Sequence, residues 1–130
     1  MRKIILDTNF LLIPAQFRVD IFSEIHRIME TKYELCIIDK TLDELESIKA
    51  EQKQKHRRAA KLALELIKAK DIKTIETEKN KNVDQLILDT INKDDYLVAT
   101  QDKLLKAKIK QKKVKIITLR QKKRLIIEGG

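Results

Sequence analysis

Four acidic residues stand where a carboxylate either caps a helix or belongs to a site that handles a cation. Asp7 closes the apolar run Lys3-Ile4-Ile5-Leu6, and Asp102 follows Tyr96-Leu97-Val98-Ala99 after Thr100 and Gln101. A carboxylate ending a buried strand is unfavourable unless it binds a cation or receives hydrogen bonds, and a helix or turn cap is the competing explanation for both. Asp84 falls in the first turn of a segment with helical spacing, and Glu44 lies early in Thr41-Leu42-Asp43-Glu44-Leu45-Glu46. There a negative charge also complements the helix dipole. Singly, none of the four compels a functional reading. Each follows a different strand-like run, however, so a parallel sheet would bring all four to one edge. Converging carboxylates repel one another, and a hard, oxygen-seeking Mg²⁺ or Mn²⁺ relieves that repulsion while keeping sites for water and phosphate oxygens. Such a cluster suits attack of water on a phosphodiester, with metal charge stabilising the attacking and leaving oxygens.

The elements that would position these residues are legible as alternation. Short apolar runs at 3–7, 35–39, 72–75, 96–100 and 114–118 read as buried strands, separated by longer segments with helical periodicity. Ile21, Phe22, Ile25, Ile28 and Met29 fall at helical spacing, with Pro14 marking an irregular approach. Residues 41–69 suit two helices with a break near 51–55. Asn82 is placed to cap a helix through Leu86, Ile87 and Ile91, and Gln101 or Asp102 opens another through Leu104, Leu105 and Ile109. The expected architecture is a single α/β domain of three layers, helices on both faces of a short parallel sheet of four to five strands. In such open sheets ligands bind beyond the carboxyl ends of the strands, where the strand order reverses.

Composition narrows the chemistry further. The chain has 130 residues, 42% of them hydrophobic, enough for one core without disulfides. Its single cysteine, Cys36, lies in Leu35-Cys36-Ile37-Ile38 and reads as buried and reduced. The only glycines are Gly129 and Gly130, which argues against the Gly-rich phosphate loops of nucleotide-cofactor proteins. His26 and His56 lack partners at ligand spacing and read as surface residues. No run approaches the length of a membrane span and no signal-peptide core follows Met1, so a cytoplasmic address is expected. The formal charge of +9 predicts attraction to polyanions, nucleic acid first, although charge enrichment also accompanies growth at high temperature. Between Lys103 and Arg124 there are eleven basic residues and no acid. This basic segment, 103–124, and within it Lys103, Lys106, Lys110, Lys112 and Lys113, is the expected RNA-contacting rim. Only five aromatics occur, so backbone or shape recognition is expected over base readout.

The acidic positions sit in runs that resemble a known family. Ile5-Leu6-Asp7-Thr8-Asn9-Phe10-Leu11-Leu12 is similar to the first motif of PIN domains, Thr41-Leu42-Asp43-Glu44-Leu45 to the second, Val83-Asp84-Gln85-Leu86-Ile87 to the third, and Leu97 through Leu105 to the fourth. Gln101 stands where Asn is common, and Val83 where some relatives carry another acid. The branch it resembles most includes ribosome-biogenesis PIN nucleases and archaeal VapC-like proteins. The resemblance implies an endoribonuclease using Mg²⁺ or Mn²⁺, with Asp7, Asp84 and Asp102 as metal ligands, Glu44 as a ligand directly or through water, and Asn9 and Thr100 orienting the site. Asp43 and Glu46 compete with Glu44 for the second-motif role. It also implies RNA as substrate, in RNA processing that could include ribosomal RNA, with a ribosome-assembly partner. The alternatives are a toxin ribonuclease paired with a protein antitoxin, or an RNA-binding scaffold without catalysis. Homodimers are common among such relatives.

Overall fold

A computed structural model describes residues 1–129. Five parallel strands and one antiparallel strand form a single sheet: β1 (Arg2–Leu6), β2 (Tyr33–Ile38), β3 (Lys73–Ile75), β4 (Tyr96–Ala99), β5 (Lys115–Arg120) and β6 (Arg124–Glu128), in the order β3-β2-β1-β4-β5-β6. The helices are α1 (Ile13–Phe17), α2 (Ile21–Ile28), α3 (Asp39–Lys49), α4 (Gln54–Ala69), α5 (Val83–Thr90) and α6 (Lys103–Gln111), with a 3-10 turn at Phe10–Leu12. The three-layer α/β arrangement is therefore as expected. Among the described residues no helix is long and apolar enough to cross a membrane.

The β1 run Ile4-Ile5-Leu6 is apolar throughout because β1 sits in the middle of the sheet with both faces covered. Ile4 and Leu6 join the core with α1, α2 and α4, whereas Ile5 joins the opposite core with α5 and α6. Period-two alternation thus divides one strand between two cores. Helix α2 begins where Asp20 accepts hydrogen bonds from Phe22 N–H and Ser23 N–H, and α5 begins where Asn82 accepts one from Gln85 N–H at 2.9 Å. The break between α3 and α4 falls at 50–53, overlapping the 51–55 suggested by the periodicity. Cys36 is buried on β2, and burial pushes its thiol up to about 11, which keeps it protonated.

Two expectations need correction. The sheet has six strands, not four or five, because residues 124–128 return antiparallel to β5 after a tight turn. Gln121-Lys122 closes that turn in place of the usual Asn-Gly, so the sequence lacks the common hairpin signal. Helix α3 starts at Asp39, so Glu44 lies in its second turn, and the first-turn acid is Asp39 itself.

Candidate active site

The strand order reverses between β1 and β4, and the residues following these two neighbours are Asp7 and Thr100. Both extend the ladder by one bond: Asp7 N–H donates to Ala99 O at 3.0 Å, and Thr100 N–H to Ile117 O at 3.1 Å. Their side chains are thereby held by the sheet rather than by a loop.

Asp7 is 4% exposed. Its Oδ1 accepts from Thr8 N–H at 2.8 Å and its Oδ2 from the Thr100 hydroxyl at 2.9 Å. Burial pushes the Asp7 carboxyl up to about 6. The two hydrogen bonds oppose that rise, and the charges of Asp84 and Glu44 add to it. The Thr100 oxygen also accepts from Asp102 N–H at 3.1 Å, so one buried hydroxyl ties together the acids that follow β1 and β4. Asp102 caps α6 with one oxygen only: Oδ1 accepts from Leu104 N–H and Leu105 N–H at 2.9 and 3.0 Å. Its Oδ2 takes no hydrogen bond among the described residues.

Asp84 occupies the second position of α5, but Asn82 supplies the cap there. The Asp84 carboxylate accepts no hydrogen bond among the described residues. It is raised above its ordinary pKa by burial and by the charges of Asp102 and Glu44, with Lys108 pulling the other way. Glu44 accepts from the Thr8 hydroxyl, which also lies 3.3 Å from the Thr41 hydroxyl. Asp43 instead pairs with Lys79 at 3.2 Å and Glu46 with Lys49 at 3.8 Å, both at the surface.

Asp7, Glu44, Asp84 and Asp102 line one cleft of about 450 Å³, together with Thr8, Asn9, Ser47 and Asn82 among others. Asn9 is exposed there, and its side chain makes no hydrogen bond to other described residues. The cleft matches the donor chemistry of a hard divalent cation: four carboxylates whose mutual repulsion helps to raise the pKa of Asp7 and Asp84, none ion-paired to a Lys or Arg among the described residues. Among the described residues no three carboxylate, imidazole or thiol groups already stand at metal-holding distance. Closing around an ion therefore takes side-chain rotation, for which Asp84 and the outer oxygens of Glu44 and Asp102 carry no opposing hydrogen bond.

The predicted basic rim is split by the fold. Lys103 opens α6 beside Asp102. Lys106 donates to the Thr118 hydroxyl at 2.6 Å, and burial lowers its pKa. Lys110, Lys112 and Lys113 lie at the other end of α6, about 10–15 Å along the helix from Lys103, with Lys110 3.9 Å from Glu128. His26 is exposed and His56 is part-exposed near Glu51.

Residues that sequence reasoning passed over also shape the site. Thr41 is fully buried beneath Glu44. Asp39, which ends the β2 run as Asp7 ends β1, faces away from the cleft. It accepts from Thr77 N–H at 2.7 Å, the Thr77 hydroxyl at 2.6 Å and Lys40 N–H at 2.8 Å. These bonds outweigh its desolvation and hold its pKa low. The strand-end position was a visible signal for Asp39, but its partner lies 38 residues away.

In open parallel α/β sheets ligands bind at the switch point, which here is lined by clustered carboxylates. Comparison with known proteins defines the class. Residues 4–122 match the family described as PIN like domain. Ribonuclease VapC4 of Methanocaldococcus jannaschii (strain ATCC 43067 / DSM 2661 / JAL-1 / JCM 10045 / NBRC 100440) is 32% identical over 130 residues, covering 99% of this chain and 98% of its own. The solved PIN domain endonuclease Utp24 superposes with a TM-score of 0.79 at 26% identity, covering 98% of this chain and 92% of that one. The chain belongs to the PIN-domain nuclease family.

Proposed function

We propose that this protein is an endoribonuclease that hydrolyses RNA phosphodiesters with Mg²⁺ or Mn²⁺ held by Asp7, Asp84 and Asp102, and by Glu44 directly or through water. The observation that carries the reading is the convergence of those four carboxylates, from four different segments, in one cleft at the β1–β4 switch point. The names of the relatives, a ribonuclease and a PIN endonuclease, support RNA as substrate.

When bound, the metal would lower the pKa of the attacking water and neutralise charge on the scissile phosphate. The chain's own residues do the positioning. Thr8 N–H and the Thr100 hydroxyl occupy one lone pair on each Asp7 oxygen and fix the carboxylate plane, and the remaining lone pairs are free to bind a cation. With a pKa of about 6, Asp7 is ionised at neutral pH. Thr8 carries a second duty, since its hydroxyl holds Glu44 against the end of β1.

The test is incubation of purified protein with labelled RNA in Mg²⁺, Mn²⁺ or EDTA, beside Asp7→Asn and Asp102→Asn. Metal-dependent internal cleavage that both substitutions abolish is the expected result. Cleavage that survives both would overturn the site, and binding without cleavage in any metal would leave an RNA-binding scaffold. Growth arrest on expression that Asp7→Asn relieves would assign the activity to a toxin rather than to RNA processing.

A further inference from the structure

A second surface, strongly cationic, occupies the same edge of the sheet outside the cleft. Ala99 at the end of β4 pairs with Ile117, and β5 continues three residues further to Arg120. At about 3.3 Å per residue this carries the β5–β6 turn about 10 Å past the edge that bears Asp7 and Asp102. The turn is closed by Lys123 N–H donating to Arg120 O at 3.1 Å, with Gln121 and Lys122 at φ 56° and 57°. Arg120 and Arg124 face each other across its base.

Beside the turn, Phe17 at the end of α1 and Arg18 in the α1–α2 loop line one groove with Lys122 and Lys123. Phe17 is 38% exposed, and Lys122 Nζ stands 5.9 Å from its ring centroid. None of Arg18, Arg120, Lys122, Lys123 or Arg124 forms an ion pair among the described residues. The two acids of the groove are already committed. Asp20 accepts from Phe22 N–H, Ser23 N–H and the Ser23 hydroxyl, and Glu24 accepts from Arg27 and Leu125 N–H. Five cations and an exposed ring are left facing outward, the combination that tracks a phosphate backbone and stacks a base.

The surface is mechanically joined to the cleft. Gln101, one residue before Asp102, accepts from Leu119 N–H at 2.6 Å and from the Thr118 hydroxyl at 2.5 Å. The base of the hairpin and the start of α6 are therefore held in fixed relation. Three strand spacings separate β1 from β6, on the order of 15 Å, a span that a few nucleotides of single-stranded RNA cover.

We propose that the β5–β6 hairpin tip and Phe17 form an exosite for the single-stranded RNA backbone leading to the carboxylate cleft, with Phe17 stacking on a base. The proposal rests on the ribonuclease reading above for its substrate, but its test does not require cleavage. Binding of a labelled single-stranded oligoribonucleotide is measured by fluorescence anisotropy in EDTA over a salt series. Lys122→Gln/Lys123→Gln is expected to weaken binding about tenfold or more at low salt. It should also flatten the slope of log K against log[salt] by about 1.4, at about 0.7 per lost phosphate contact. Phe17→Ala is expected to weaken binding about tenfold with the slope unchanged. Lys32→Gln/Lys93→Gln, which removes the same charge from exposed positions just before β2 and β4, at the opposite edge of the sheet, should stay within about twofold of wild type. Thermal melts confirm that these exposed substitutions leave the fold intact. Where cleavage is observed, the hairpin variant should raise KM for long RNA and leave kcat unchanged. Wild-type affinity and slope in the hairpin variant overturn the proposal and would assign the patch to an acidic protein partner. Equal loss from the Lys32/Lys93 pair overturns it too, because net charge alone would then explain binding.

Discussion

Replacing Asp7 with Asn should stabilise the metal-free protein at neutral pH while abolishing cleavage. Asp7 is 4% exposed, and its carboxyl is raised from an ordinary 3.8 to about 6, burial being the largest cause. At about 1.4 kcal/mol per pKa unit, keeping this group ionised in the fold at pH 7 opposes folding by about 3 kcal/mol. The sign follows from linkage. A folded-state acid with a raised pKa holds its proton more tightly than the unfolded chain does. Stability from this source is therefore complete below about pH 4 and lost as pH rises through about 6. Asparagine removes that loss. Its carbonyl keeps the Thr8 N–H bond, but its amide must donate to a Thr100 oxygen that already accepts from Asp102 N–H and would lose the acceptor for its own proton. That mismatch costs about 1 kcal/mol. The net gain is about 2 kcal/mol, or about 5–10 °C in Tm for a domain of this size. Thermal or urea denaturation of both proteins in EDTA from pH 4 to 8 measures it. The curves should nearly coincide at pH 4 and separate as the pH rises. Saturating Mg²⁺ should then raise wild type, by about 2.7 kcal/mol at a hundredfold excess over Kd, and leave Asp7→Asn unmoved. An Asp7→Asn protein less stable than wild type at pH 7 in EDTA, or a gap independent of pH, would refute the reasoning.

Among the three acids in 43–46, only Glu44→Gln should impair cleavage, by about 10–100-fold, with Asp43→Asn and Glu46→Gln within about twofold, read as initial rates on labelled RNA. Thr100→Val removes the hydroxyl that serves both Asp7 and Asp102 N–H. It should lower stability by about 1–3 kcal/mol in denaturant titrations and move the acidic limb of the cleavage–pH profile upward, because Asp7 loses a bond that favours its ionised form. Thr77→Ala should destabilise by about 1–2 kcal/mol at pH 7 without a large effect on cleavage chemistry. Asp39 has a depressed pKa, so its contribution is present above about pH 4 and lost as pH falls through the folded value. The Thr77→Ala defect should accordingly shrink toward pH 3.

How much of the site could be read early depended on how local its cause was. Asn82 and Asp102 as helix starts, the two apolar faces of β1 and the helix break after α3 rest on contacts within a few residues, and all are visible as spacing. The β5–β6 hairpin was not legible, because Leu125-Ile126-Ile127 is a short apolar run behind a turn without Gly or Asn. Its basic tip therefore merged with α6 into one undivided segment. Asp39 escaped notice because the hydrogen bonds that occupy it come from Thr77 on a distant loop.

From residue order alone came the α/β class, the alternation that forces parallel strands, and the four acids that such a topology carries to one edge. Tertiary structure decided what each acid does there. Asp102 is both cap and candidate ligand because the cap uses only one of its two oxygens. Asp84 is free because Asn82 does the capping, Glu44 lines the cleft held by Thr8 while Asp43 and Glu46 pair with surface lysines, and Asp39 is occupied by Thr77. The physical reason is that helix and strand propensities act through near neighbours, whereas the ionisation and orientation of a carboxylate depend on desolvation and on donors from across the chain, such as Thr100, 93 residues beyond Asp7.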